Sequence, residues 1–273
     1  MSATSFNLPV INCIWIGREM GSVHAACLRS FMRHGHKVLL HCFDEVVDSP
    51  SGVDLFDANL LMKREEIVAH KKTGSLALAS DIYRIRILAN GMGIYADCDV
   101  FALAPFHDKE YIFGWDSSHA WSIEEIENDF TIDGLVNGAV LKIPVGSELL
   151  EEMLRATEDR HFIPPWLTPA RIRKRRLRKK FGFPVPVTRQ VWGVIGPIAL
   201  TYFIKKLGLT RHVAAPDIFY FYRPGNHRLL LNDPELSLRD MLTPRSKAIH
   251  LCASGGFPDN IMPGSPLDEI LRI

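Results

Sequence analysis

Residues 78–104 read LASDIYRIRILANGMGIYADCDVFALA. Ile82, Ile85 and Leu88 with Ala89 recur at helical spacing, which predicts a short amphipathic helix with those side chains as its buried stripe. Asp81 and Arg84, three residues apart, are neighbours on one edge of that helix. Asn90-Gly91 and Gly93 stop it and reverse the chain, as residues tolerant of left-handed backbone angles can. Ile94-Tyr95-Ala96 then reads as a strand running into Asp97-Cys98-Asp99.

Side chains alternate along a strand, so Asp97 and Asp99 are expected to project to the same side. Two such carboxylates with no lysine or arginine beside them in the chain repel each other, and are tolerated where a divalent cation sits between them and a ligand. Magnesium and manganese suit one or two carboxylates plus phosphate oxygens. An Asp-x-Asp tripeptide alone is common and most often marks a solvated loop. What strengthens it here is the preceding Ser80-Asp81-x-x-Arg84 and the Gly-x-Gly-Ile-Tyr strand.

Ser80-Asp81-Ile82-Tyr83-Arg84 followed by Gly91-Met92-Gly93-Ile94-Tyr95-x-Asp97-x-Asp99 resembles the signature of sugar-nucleotide glycosyltransferases with the DXD motif. That family includes bacterial capsule and lipopolysaccharide transferases, α1,4-galactosyl- and α1,4-N-acetylglucosaminyltransferases and yeast initiating mannosyltransferases. Its core is shared with the glucosylating domains of large clostridial toxins. Met92 departs from the family, which usually has a second consecutive glycine there. The resemblance implies an α/β, GT-A-type fold: a Rossmann-like mixed sheet flanked by helices. It also implies roles. Asp99 ligates Mn2+ (or Mg2+), and Asp97 contacts the ribose or the metal's water shell. Asp81 accepts hydrogen bonds from donor-sugar hydroxyls, Arg84 orients it and adds positive charge, and Ser80 and Tyr95 stand beside them.

The length of 273 residues allows one large domain or two small ones. A net charge of +1 argues against a whole-surface field for nucleic acid. Five cysteines, odd in number, far apart and without C-x-x-C, exclude a zinc ribbon and point to a reducing compartment. The N-terminus has no basic region followed by a long apolar run, and no stretch of about 18 apolar residues occurs. The expectation is a cytoplasmic enzyme, peripheral at most on the inner face of the plasma membrane.

Pro9–Ile16 has strand length and character, and Ile14-Trp15-Ile16-Gly17 matches the family's first strand end, which implies that Trp15 and Ile16 lie near the nucleotide base. A tryptophan at a strand end is otherwise usually core. Met20–His34 reads as a helix, Lys37–Phe43 as a second buried strand, and 44–61 as a loop. Neither a Gly-x-Gly-x-x-Gly after the first strand nor a P-loop is present. Downstream, Tyr111–Trp115, Val136–Ile143, Ile218–Tyr222 and Ala248–Cys252 read as strands. Ser147–Thr157 reads as a helix capped by Ser147, and Gly196-Pro197 opens another. By the resemblance, Asn137 lies beside the donor sugar, His250 completes the metal or phosphate shell, and Ser254 belongs to a closing loop. The family's tryptophan is missing from that loop, with Phe257 nearby.

Arg171–Lys180 carries eight basic residues in ten. A solvated helix face, a mobile loop, an anionic membrane surface and nucleic acid are the readings open to it, and the lack of a stacking platform disfavours the last. The expected architecture is one domain over 1–273. Its nucleotide-sugar-binding half extends to about residue 105, and its acceptor half, 106–273, contains the basic segment 171–180. The expected function is a metal-dependent retaining transfer of a hexose or N-acetylhexosamine. The donor is a nucleotide-diphosphate sugar, UDP-sugar favoured, and the acceptor a glycan or glycolipid of bacterial surface polysaccharide synthesis. No carboxylate identifies itself as a nucleophile, so a front-face mechanism is the default. The rivals are a non-catalytic nucleotide-sugar- or glycan-binding protein and a phosphohydrolase using strand-end Asp-x-Asp. The latter wants Thr or Val where Phe101 stands.

Overall fold

In a computed structural model that describes residues 8–116, 134–221, 230–253 and 256–272, the sheet grows outward from strand β1, Ile11–Trp15. Helix α1 (Gly21–Arg33) leads to β2 (Val38–Cys42), which pairs parallel to β1. A short edge strand, β3 (Asp54–Asp57), then adds parallel to β2. The sequence reading made this segment part of a loop. DLFD has no strand signature and stays largely exposed, and its strand state comes from pairing with β2 rather than from burial.

Helix α2 (Ala77–Ala89) returns the chain to β4 (Ile94–Ala96), parallel to β1 on its other side. β4 leads by a tight turn to β5 (Val100–Ala102). Beyond them, β6 (Ile112–Trp115) and β7 (Val136–Lys142) complete a six-stranded sheet in the order β3-β2-β1-β4-β7-β6, with β7 antiparallel to both neighbours. β5 pairs antiparallel with β8 (Ala248–His250) in a separate two-stranded sheet. Ile218 to Phe221 is not a strand, contrary to the sequence reading. Pro216 opens a 3-10 turn over Pro216–Ile218, and the apolar side chains beyond it are buried from irregular backbone.

Helices cover both faces. Ile14 packs with α2, α3 (Glu148–Glu158) and α5 (Pro197–Lys206), while Ile11 and Cys13, pointing the other way, pack with α1. Helix α4 (Pro169–Lys180) lies outside these layers, and α6 (Pro266–Leu271) packs on α1 in a third cluster. This is the mixed α/β sheet flanked by helices that the resemblance implied. α2 is covered on more than its predicted stripe: Tyr83 and Ile87 are buried along with Ile82, Ile85 and Leu88. Ser147 caps α3 as expected, accepting a hydrogen bond from the Leu150 N–H.

Two devices set the position of β4, and with it the Asp97 turn. Gly93 has φ +113° and lies so close to the Val10 carbonyl that no Cβ would fit. Buried Asn12 donates to the Met92 carbonyl (2.7 Å) and meets His41 Nε2 (3.0 Å), whose Nδ1 meets the Tyr83 hydroxyl (2.9 Å). Burial lowers the His41 pKa to about 4, so this network stays neutral at physiological pH.

Candidate active site

β4 ends at Ala96, and Asp97 and Asp99 sit in the turn before β5 rather than on a strand. They still converge. Cys98, between them, turns inward and donates its thiol to the Ile14 carbonyl (3.3 Å). The Asp97 N–H is held by the Ala139 carbonyl of β7, and the Leu251 N–H donates to the Asp99 carbonyl. Register with β8 places His250 opposite Val100, and its Nε2 comes 3.3 Å from Asp99 Oδ1. One ligand atom each from Asp97, Asp99 and His250 lie within 4.8 Å of one another.

The charge balance around the pair comes from elsewhere in the chain. Arg84 is buried, its Nη2 3.2 Å from Asp97 and 3.7 Å from Asp81. Its Nε donates to the Ser80 carbonyl, and its guanidinium lies 4.8 Å over the Tyr95 ring. The Tyr95 hydroxyl donates to Asp97 at 2.5 Å. Burial alone would lower the affinity of Arg84 for its proton, but Asp97, Tyr95 and Asp81 more than reverse this, so it stays charged. Burial raises the Asp81 carboxyl to about 6, with Arg84 pulling it down and Asp97 adding to the rise.

For Asp99, burial pushes the pKa up, yet the His250 ring and the Ala253 N–H (2.7 Å to Oδ2) hold it well below the carboxylate range. Burial would neutralise His250, but Asp99 keeps its pKa well above the ordinary value. The far side of that ring faces Cys252, whose Sγ is 3.6 Å from Nδ1 and whose φ is 55°.

Two glycines make room for the charged pair. A methyl group at Gly196, which precedes α5, would run into the Asp81 carboxylate, and one at Gly138 on β7 would meet the Arg84 guanidinium. Gly196→Ala is expected to destabilise the protein by about 1–3 kcal/mol through overpacking. Because the clash is with Asp81, turnover should also fall by at least about tenfold. Gly138→Ala should be milder, since the longer Arg84 side chain can shift. Thermal melts and kinetics of the two variants check this ordering.

Of the other sequence-predicted positions, Trp15 stands at the end of β1 with its indole N–H on the Glu19 carbonyl (3.1 Å) and its ring 4.7 Å from His24. Ile16 follows, partly buried. Asn137 donates to Asp116 (2.9 Å) and accepts from the Ala139 N–H. Phe257 packs on His24, so it joins the Trp15 corner through that ring. Ser254 lies outside the described residues.

Sequence reasoning missed His24 and Tyr220. Tyr220 is buried against His250, ring to ring at 5.9 Å, and its hydroxyl finds no hydrogen-bond partner among the described residues. An aromatic inside the apolar run IFYF carries no sign of such a role. A buried hydroxyl without a partner is costly, and a polar ligand beside it would relieve that cost. Two carboxylates and an imidazole also form a donor set suited to a hard or borderline divalent cation, manganese above magnesium because of the nitrogen. On both counts the residues fit such an ion and its polar ligand.

No protein-family profile matches the chain, and no curated protein does. Among solved structures, it is similar to the PaToxG glycosyltransferase, at 15% identity and a TM-score of 0.46, over 73% of this chain and 69% of that one. It is also similar to a transferase solved as a double cysteine-to-serine mutant, at 13% identity and a TM-score of 0.35, over 69% of this chain and 89% of that one.

Proposed function

We propose that the protein is a metal-dependent, retaining glycosyltransferase of the GT-A type that uses a nucleotide-diphosphate sugar, a UDP-sugar by preference. The observation that carries this reading is the convergence of Asp97, Asp99 and His250 beside a buried Arg84–Asp81 pair. Asp99, His250 and Asp97 are the residues that would hold Mn2+ (or Mg2+), which when bound supplies Lewis-acid neutralisation of a leaving diphosphate.

Arg84 contributes a fixed positive charge whose orientation is set before substrate arrives, by Asp97, Asp81, the Ser80 carbonyl and the Tyr95 face. Asp81 accepts hydrogen bonds from donor-sugar hydroxyls, which would offset the burial that disfavours its charged form. Tyr95 holds Asp97 in one rotamer, and Cys252 holds the His250 ring. Trp15, Ile16 and His24 form the base end of the donor site, Asn137 borders the sugar, and Ser254 belongs to the loop that follows His250. Among the described residues no carboxylate identifies itself as a nucleophile: Asp116, at the Asn137 end of the site, takes a hydrogen bond from that amide. A front-face mechanism, with the leaving phosphate accepting the acceptor's proton, therefore accounts for retention. Residues up to about 105 serve the donor, joined there by Asn137, His250 and Ser254, and the rest of 106–273 serves the acceptor, a glycan or glycolipid of surface polysaccharide synthesis.

The test is thermal stability against UDP-, GDP-, CMP- and dTDP-sugars, each with manganese or with chelator. A saturating UDP-sugar with manganese is expected to add about 2.7 kcal/mol at one hundred times its Kd. For a chain of this size that is a shift of about 5–10 °C. No shift with any nucleotide would overturn the reading. A metal-dependent shift without transfer to any glycan acceptor, or hydrolysis of the donor, would favour a binding protein.

A further inference from the structure

Between Asp159 and Asp217 the chain has no acidic residue and thirteen lysines and arginines, so with a net charge of +1 overall the remainder is strongly acidic in balance. The densest part of this stretch is α4, which buries none of its twelve residues. Its inner stripe is Ile172, Arg175 and Lys179: the first two are partly covered, and Lys179 is tied to Asp159 at 2.8 Å. At 3.6 residues per turn the opposite stripe is Ala170, Lys174, Leu177 and Phe181. Ile172 alone of its large apolar side chains faces inward, while Leu177 and, at the helix end, Phe181 face away from the protein, unlike a surface helix that packs its whole apolar stripe on a core.

Leu177 is 48% exposed, Phe181 69% and Phe183 71%. Phe183 is fixed beside the helix by two hydrogen bonds with Arg178, its N–H to the Arg178 carbonyl and its carbonyl to the Arg178 Nε–H. Arg173 and Lys174 flank this ridge together with Arg178, and the six line one shallow depression with Ala170.

We propose that α4 and the Phe181–Phe183 turn form a docking surface for an anionic phospholipid bilayer. The apolar ridge enters the acyl boundary while the flanking cations meet lipid phosphates. Among the described residues no helix is long and apolar enough to cross a membrane, so this contact is a surface one. Charge complementarity alone would also admit RNA. The Phe181 and Phe183 rings among cations would also serve to stack bases, so RNA is kept as an outcome of the test. The aliphatic Ala170 and Leu177 on the same face offer no stacking surface and favour lipid. The inference is independent of the transferase reading.

The full chain is floated with vesicles of phosphatidylcholine, with or without phosphatidylserine. It is expected to bind only the anionic vesicles. Combined Arg173→Glu, Lys174→Glu and Arg178→Glu substitutions should weaken binding by on the order of 100-fold. Combined Phe181→Ser and Phe183→Ser should abolish vesicle flotation while leaving heparin retention in place. All five positions are exposed, so each variant is expected to stay folded with a melting temperature close to the parent value, the charge-reversed one losing the Arg178–Phe183 side-chain hydrogen bond. Tryptophan emission of Phe181→Trp, taken as a difference from the parent, should shift to the blue with anionic vesicles alone. Flotation unchanged in the charge-reversed variant, no blue shift, or RNA binding without vesicle binding would each overturn the proposal.

Discussion

Asp99→Ala is expected to lower donor turnover by about 1,000-fold or more and to remove manganese-dependent thermal stabilisation. Asp99 is the member of the cluster with the least freedom: one oxygen faces His250, and the other takes the Ala253 N–H. The variant removes a ligand and frees the turn that follows β8. Its fold should survive, because His250 can answer the loss of its partner by releasing its proton, so no buried charge is stranded. Asp99→Asn separates the two effects. It keeps an acceptor for Ala253 but offers the metal a neutral oxygen, so the loop should hold while manganese affinity falls. Calorimetric titration with manganese and rates of donor hydrolysis and transfer decide it. Full metal-dependent activity in Asp99→Ala would sink the assignment of the centre.

The second large effect is on stability. Arg84→Met is expected to cost about 3–5 kcal/mol, the range for breaking a buried ion pair by removing one partner. That corresponds to a fall in Tm of about 6–20 °C for a domain of this size. Arg84 cannot discharge, and Asp97 and Asp81 share it. Without it Asp81, already raised to about 6, is driven further up. A carboxyl whose folded pKa lies above its unfolded value contributes a destabilisation that is absent below the unfolded pKa and grows as pH rises through the folded one. The deficit of Arg84→Met relative to the parent is therefore expected to be larger at pH 8 than at pH 5. Arg84→Lys should recover little, because an ammonium restores the charge without the planar fork over Tyr95 or the Nε bond to Ser80. Urea melts across this pH range check both points. An Arg84→Met deficit that does not change with pH would show that Asp81 is not the group left exposed.

Much of this site could be read before any tertiary structure. The 77–89 helix, its glycine turn and strand β4 follow from apolar spacing and from the backbone freedom of Gly93. The i,i+3 spacing of Asp81 and Arg84 put them on one edge, where they are found. Signals that depend on pairing rather than pattern were not legible. β3 is an exposed DLFD that becomes a strand because β2 offers it an edge, and 218–221 looks like a strand by composition but buries its aromatic side chains from irregular backbone.

The sequence by itself determined the local elements that carry a pattern of their own, the two carboxylates at the end of β4 and the concentration of cations in 171–180. Each depends on spacing or composition within a few residues, which a helix or strand converts directly into a face. Only the tertiary structure decided that Arg84 and His250 neutralise a pair with no basic neighbour in the chain, that bare glycines at 138 and 196 leave room for Arg84 and Asp81, and that Tyr220, whose hydroxyl has no partner among the described residues, packs its ring on His250. It also decided that α4 turns Leu177, with Phe181 at the helix end, outward. These outcomes depend on which groups are withdrawn from water together, a balance of desolvation and charge set between segments distant in sequence.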